Sequence, residues 1–145
     1  MEKLMEKANG LELKNADASI LANEAAKVLL EKKAIDVRVF DVTGKTSVTD
    51  FYVNATGRSS VQVAALADYV SDLLGERGRD PLRVEGRAGN AWILVDYGDV
   101  IVNVFDRASR EFYSFDRHLP VDSELDIAHL IKEIDEKLQT KTAEE

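Results

Sequence analysis

Two groups of residues in this 145-residue chain could carry chemistry, and the first is a glycine–serine element that could bind an anion. Gly57, Ser59 and Ser60 follow an apolar run that ends at Thr56, and they precede a helical pattern. Free backbone N–H groups and the helix dipole at such a junction can hold a phosphate. Because Gln62 lies three residues after Ser59, the same residues also match a reciprocal helix N-cap. Capping is the favoured explanation of the serines, and an anion site at Gly57, Ser59 and Ser60 is the alternative.

Two carboxylates, Asp96 and Asp99, form the second group. With the glycine–serine element they resemble the site of a nucleotidyltransferase, in which closely spaced carboxylates hold magnesium against the triphosphate. Here, however, the two aspartates flank a turn at Gly98 instead of alternating along one strand. His118 and His129 are the only histidines, and neither has metal-ligand spacing. The sequence therefore indicates no catalytic centre, metal site or cofactor, with a nucleotidyltransferase-like nucleotide-binding enzyme as the alternative.

Composition excludes several other kinds of site and partner. The chain has no cysteine, which removes disulfides, thiolate metal sites and a cysteine nucleophile. No apolar run approaches the roughly 20 residues that span a bilayer, and the alternating Glu and Lys at the start are unlike a signal peptide. A cytoplasmic protein without membrane contact is therefore expected. The net charge of −8 would repel phosphate backbones, which disfavours a direct nucleic-acid site but suits a basic protein partner.

Hydrophobic periodicity predicts the elements that must position these residues. The predicted helices cover residues 15–34, residues 59 to Gly75 or Gly78, and residues 122–139. The predicted strands cover residues 35–42, 51–56, 81–86, 92–97 and 100–106. The last two strands form a hairpin around Gly98-Asp99. Because both runs of the hairpin are nearly apolar on both faces, we expect it inside a sheet that helices cover. The chain is thus predicted to be one α/β domain over 1–145, a mixed β-sheet flanked by helices, with disordered ends.

Two stretches of sequence carry a resemblance to a known family. The first runs from Lys45 to Val63; the second starts at Glu85-Gly86, continues from Trp92 to Phe105 and ends at Arg110 to Tyr113. Their order and spacing resemble the ribosomal silencing factor family, also called the Iojap family. The resemblance spans residues 35–119, which makes these the expected family core and 122–139 an additional C-terminal helix. It implies a nucleotidyltransferase-like sandwich fold for a protein that is not an enzyme.

The resemblance also implies a partner and a mechanism. Members bind a conserved protein of the large ribosomal subunit at an inter-subunit bridge and sterically block the small subunit, which represses translation initiation without a cofactor. The implied partner surface is the hairpin and its turn, so the candidate contacts are Trp92, Asp96, Tyr97, Gly98 and Asp99. Trp and Tyr are frequent interface hot spots, and the aspartates suit a basic ribosomal protein. Trp92 could instead be a core residue whose indole N–H needs a buried partner.

Some positions depart from the family pattern. Asn103 stands where members commonly have a His, Asn54 replaces a usual apolar residue, and Val61 replaces a frequently polar or basic one. The usual terminal Trp is missing from residues 115–120. These departures leave the expected fold and family intact and put the contact set in question. A scaffold or dimerisation module that uses the C-terminal helix is a third hypothesis, and a homodimer is left open.

Overall fold

The computed structural model describes residues 6–7 and 10–144, and a five-stranded mixed β-sheet forms its centre. In chain order the elements are β1 (Glu6–Lys7), β2 (Gly10–Leu11), α1 (Ala18–Glu31), β3 (Ile35–Asp41), β4 (Phe51–Gly57), α2 (Ser60–Glu76), β5 (Arg83–Glu85), β6 (Trp92–Asp96), β7 (Val100–Asp106), α3 (Arg107–Tyr113), a 3₁₀ turn (Phe115–His118) and α4 (Ala128–Glu144). The sheet order is β3-β4-β7-β6-β5, with β4 and β7 parallel and the other neighbours antiparallel. The predicted mixed α/β fold is confirmed.

One face of the sheet is covered by the two long helices α1 and α2. The apolar stripe predicted for α1 is buried there, with Leu21, Ala25 and Leu29 fully inside the core. Ile93 and Val95 of β6 belong to the same core, as the period-2 alternation of the hairpin requires. Helix α4 packs against α1 and so forms an outer layer on this side.

The opposite face of the sheet is covered by short segments. Phe40, Tyr52 and Ile101 form a smaller apolar cluster on this face, and Phe115 and Leu119 pack against it. Helix α3 contacts β7 and β4 beside this cluster. The expectation that helices cover the hairpin therefore applies fully to one face, whereas a seven-residue helix and a 3₁₀ turn cover part of the other.

The C-terminal helix begins later than the sequence pattern predicts. Residues 119–127 form a strap that turns at residues 121–122 and then runs beside β3 before α4 starts at Ala128. The strap is held by backbone bonds from Asp41 N to Ser123 O and from Leu125 N to Val39 O, both 2.9 Å. These bonds satisfy the outer edge of β3, which would otherwise present unpaired backbone groups. The backbone of residues 123–125 is thus paired with the sheet edge and does not form the first turn of a helix.

The remaining boundaries agree with the predicted ones to within a few residues. Helix α1 lies inside the predicted range of 15–34, and α2 ends just before Gly78, whose φ of +97° is the left-handed conformation that follows many helices. The expected disorder at the ends falls partly on residues 1–5, 8–9 and 145, which lie outside the described residues. Within the described part, Leu13 and Ala16 are already buried in the core.

Candidate functional site

The hairpin turn is locked by its own side chains and backbone. Asp96 Oδ1 accepts a hydrogen bond from Gly98 N at 2.7 Å, and Tyr97 N donates to Val100 O at 2.8 Å. Gly98 has a φ of +90°, which favours glycine at this position. Thr49 Oγ1 donates to Gly98 O at 3.0 Å from the neighbouring loop. Asp96 therefore acts as a turn-forming residue whose side chain bonds the backbone two residues on.

Both candidate aspartates are paired with arginines of this chain. Asp96 Oδ2 lies 2.9 Å from Arg83 Nε, and Asp99 Oδ1 lies 2.8 Å from Arg79 Nη2. Each pair brings together one negative and one positive charge, so the turn presents less free negative charge than its two carboxylates suggest. The turn is thus better described as a rigid, charge-compensated corner than as an acidic rim.

Tyr97 lies on the opposite face of the sheet from Trp92. Its side chain is 3% exposed and packs in the core beneath the long helices, together with Ile93 and Val95. Burial raises the pKa of its hydroxyl well above the ordinary value. An aromatic patch made by Trp92 and Tyr97 therefore does not form, because side chains five residues apart on an extended segment point to opposite faces. Tyr97 offers a partner almost no surface.

Trp92 lies at the other end of β6 and combines core and surface contacts. Its ring centroid is 4.9 Å from those of Phe105 and Tyr113 and 5.8 Å from that of Phe115. Its indole Nε1 donates to Asn103 Oδ1 at 3.0 Å, which supplies the buried partner that an inward-facing indole needs. The side chain is nevertheless only partly buried. Part of the ring system is thus packed as a core residue would be, and part of it remains accessible to solvent.

Two aromatic residues that sequence reasoning left without a role complete this region. Phe112 and Tyr113 on α3 are 81% and 48% exposed, and their ring centroids are 5.1 Å apart. Since Tyr113 also contacts Trp92, the three residues form a continuous exposed surface, called here the aromatic surface (Trp92, Phe112, Tyr113). The sequence signal that could have identified it is a pair of adjacent aromatics within the largely polar segment 107–118.

A shallow concavity of about 220 Å³ borders the aromatic surface at the open edge of the sheet. It is lined by Glu85, Gly86, Trp92 and Leu94. Gly86 has a φ of +96°, and a Cβ at this position would collide with the carbonyl oxygen of Trp92. The glycine therefore allows the chain after β5 to lie directly against the start of β6. An apolar side chain of a partner could occupy this concavity beside the Trp92 ring.

The alternative anion site is used internally as a helix cap. Ser59 Oγ accepts from Gln62 N at 3.1 Å, as the predicted N-cap requires. Gln62 Oε1 accepts from Arg58 N at 2.6 Å, one residue before the Ser59 N that closes a reciprocal capping pair. A Cβ at Gly57 would lie 2.9 Å from Val63 N, so this glycine is required for close packing of β4 against α2. Ser60 is the first residue of the helix. The geometry thus explains Gly57 and Ser59 without a ligand.

Within residues 6–7 and 10–144, no three His, Cys, Asp or Glu side chains lie close enough together to hold a metal ion. In that same part of the chain, no helix combines the length and apolar character that crossing a membrane requires.

Comparisons with known proteins point to one family. The family model described as "Ribosomal silencing factor during starvation" matches residues 15–145, which include the strap and α4. A Haemophilus influenzae protein named ribosomal silencing factor RsfS is 39% identical over 85 residues, or 59% of this chain and 83% of that protein. The Bacillus subtilis protein of the same name is 34% identical over 93 residues, or 64% of this chain and 79% of that protein. A crystal structure of a Chromobacterium violaceum protein matches with a TM-score of 0.68 at 34% identity, covering 70% of this chain and 85% of that one.

Proposed function

This chain belongs to the ribosomal silencing factor family, as its two sequence stretches predicted, and we propose that it represses translation by binding the large ribosomal subunit. In this proposal it docks on a basic ribosomal protein at an inter-subunit bridge. Its bulk then occupies the space that the small subunit needs, so initiation is inhibited reversibly and without turnover. The site of action is the cytoplasm, where ribosomal subunits join.

The observation that carries the proposal is the aromatic surface. Phe112 is 81% exposed although it is a large apolar side chain, and it adjoins Tyr113 and Trp92. A contiguous exposed apolar patch is typical of a protein–protein interaction site. Aromatic residues are also the types that contribute most binding energy at interfaces. The concavity beside Trp92 would receive an apolar side chain, while the surrounding surface remains polar.

A basic partner is supported by the net charge of the whole chain and not by the two aspartates of the turn. The turn aspartates Asp96 and Asp99 are paired with arginines, so the proposal does not use them as free acidic contacts. The net charge of −8 still attracts a basic protein over long range and speeds encounter. We therefore propose that the aromatic surface provides affinity and that the whole-molecule field provides steering.

The competing functions receive less support from the geometry. A nucleotide-binding enzyme would need the glycine–serine element as a phosphate site, but capping already uses Ser59 and Gln62. Dimerisation through the C-terminal helix remains a separate hypothesis. Helix α4 packs on α1, on the other side of the sheet from the aromatic surface, so a dimer formed through α4 would leave that surface free. Sedimentation equilibrium of the purified protein tests this hypothesis.

Co-sedimentation with isolated ribosomal subunits tests the proposed function. The protein should pellet with large subunits and not with small ones, because the partner is a large-subunit protein. Phe112→Ala should reduce the pelleted fraction, whereas Val121→Ala, at a residue of the strap that is 84% exposed, should not. Equal pelleting with both subunits would contradict a specific large-subunit partner. Equal loss in the two variants would contradict the placement of the docking surface.

A further inference from the structure

A chain of hydrogen bonds crosses the sheet beneath the aromatic surface. The Trp92 indole Nε1 donates to Asn103 Oδ1 at 3.0 Å, and Asn103 Nδ2 donates to Asn54 Oδ1 at 3.0 Å. Asn54 Nδ2 donates to Asp116 Oδ1 at 2.6 Å, and the second oxygen of that carboxylate accepts from Arg110 Nε at 2.8 Å. The chain therefore links Trp92 on β6 to Arg110 on α3 by way of both central strands.

The chemistry of its two ends fixes the direction of this chain. An indole N–H can only donate, and an ionised carboxylate can only accept. Asn54 must therefore turn its amide nitrogen toward Asp116, which leaves its oxygen for Asn103. Asn103 in turn must donate to Asn54 and present its own oxygen to Trp92. Any change that reverses one amide breaks two bonds at once.

Burial makes each of these bonds costly to lose. Asn54 and Asn103 are both 0% exposed, so solvent cannot replace a missing partner. They are direct partners in the parallel β4–β7 register, on the face of the sheet that α1 and α2 leave open. The two asparagines thus form a matched pair. The amide of each asparagine has a hydrogen-bond partner in the amide of the other.

The two ends of the chain carry the two halves of the aromatic surface. Trp92 is one half, and α3, which carries Phe112 and Tyr113, is the other. Arg110 anchors α3 to the sheet, because its Nη1 also donates to Thr56 Oγ1 at 2.9 Å and its side chain is only 10% exposed. The hydrogen-bond chain thus sets the orientation of the indole and the position of α3 relative to it.

We infer that Asn103 is a positioning residue for partner binding, which orients Trp92 directly and fixes α3 through Asn54 and Asp116. The inference rests on the proposed function, since it takes the aromatic surface as the docking site. Asn103 does not touch the partner, because it is fully buried. It acts by pre-organisation: side chains that are already held in the bound geometry lose less conformational freedom on association.

The first arm of the test needs no partner. Trp92 is the only tryptophan, so its indole N–H gives a single NMR signal whose hydrogen exchange reports the bond to Asn103. Asn103→Leu, which removes both bonds at similar size, should speed this exchange at least about tenfold. Ser123→Ala is the matched control, because it removes a buried side-chain bond to Pro120 O in the strap and should leave indole exchange unchanged. Unchanged exchange in Asn103→Leu would overturn the inferred bond.

The second arm measures affinity for isolated large subunits at a temperature where circular dichroism shows every variant folded. Asn103→Leu should weaken binding about tenfold, because the indole and α3 are then ordered only on association, and Ser123→Ala should not. In a Trp92→Phe background, which already lacks the indole donor, the same Asn103→Leu change should cost less than about threefold. Where Asn103→Leu does not fold, Asn103→Ser, which cannot bridge both neighbours, replaces it with the same expectations.

The outcomes distinguish the positioning role of Asn103 from the proposed function on which it rests. Faster indole exchange with unchanged affinity, or an equal loss of affinity in both backgrounds, would overturn the positioning role and leave the proposed function standing. Failure of the unmodified protein to bind large subunits would overturn the proposed function, and the positioning role with it. Faster exchange together with a background-dependent loss of affinity supports the inference.

Discussion

Accessibility separates the aromatic side chains that could bind a partner from those that build the core. Phe112 and Tyr113 expose large parts of their rings, whereas Tyr97 is 3% exposed. Its hydroxyl has no hydrogen-bond partner among the described residues. A buried polar group without a partner reduces the stability of the folded state. Tyr97 thus contributes packing through its ring and a small penalty through its oxygen.

Tyr97→Phe should therefore leave the protein at least as stable as the unmodified chain. Removal of the hydroxyl relieves a desolvation cost of about 1 kcal/mol and retains the packed ring. Thermal melts followed by circular dichroism measure the change, and binding to large subunits should be unaltered. A stable Tyr97→Phe variant with weakened binding would instead show that the hydroxyl reaches the partner.

Among the helices and strands, local sequence patterns predicted the structure correctly wherever an apolar stripe or a helix cap determines it. The α1 stripe, the hairpin and the Ser59–Gln62 cap are local, so the sequence predicted them. The strap is not local: its bonds join Ser123 and Leu125 to β3, more than 80 residues earlier in the chain. Periodicity therefore extended the C-terminal helix to 122, which the structure contradicts. The aromatic surface was missed for the same reason, because its exposure depends on how α3 docks.

Ser59→Ala tests the cap against the anion site. Loss of the Oγ acceptor leaves Gln62 N unpaired at the start of α2 and should lower the free energy of unfolding by about 1 kcal/mol. Urea denaturation measures this loss. Calorimetric titration of the unmodified protein with ATP and magnesium should show no binding heat. Saturable heat that Ser59→Ala abolishes would favour the nucleotide-binding alternative.

At the scale of the whole molecule, buried charges connect the helical layers. Arg77 at the end of α2 donates to Glu24 Oε1 at 2.7 Å, and Lys27 bridges Glu24 and Glu133 of α4 at 3.0 and 2.8 Å. Burial opposes ionisation of Glu24, but the bonds from Arg77 and Lys27 prevail and lower its pKa below the ordinary 4.5. A carboxylate with a lowered pKa stabilises the fold above its unfolded-state pKa, and this contribution is lost as the pH falls below 4.5.

Glu24→Gln should lower the free energy of unfolding by roughly 2 kcal/mol at neutral pH, since it removes charge-assisted bonds. The difference from the unmodified protein should shrink as the pH falls below 4.5, where protonation weakens the same bonds in the parent. Denaturant titrations at several pH values measure this difference. A difference that does not depend on pH would show that the Glu24 charge does not contribute.

We propose that this molecule keeps ribosomal subunits apart through its aromatic surface. Sucrose-gradient analysis of purified subunits, mixed under joining conditions with increasing amounts of protein, tests it directly. The unmodified protein and Val121→Ala should both reduce the joined fraction. Phe112→Ala should require about tenfold more protein for the same reduction, as expected for the loss of a moderate hot spot. A joined fraction that does not change at saturating protein, while the protein still sediments with large subunits, would contradict the proposal that the bound protein blocks subunit joining.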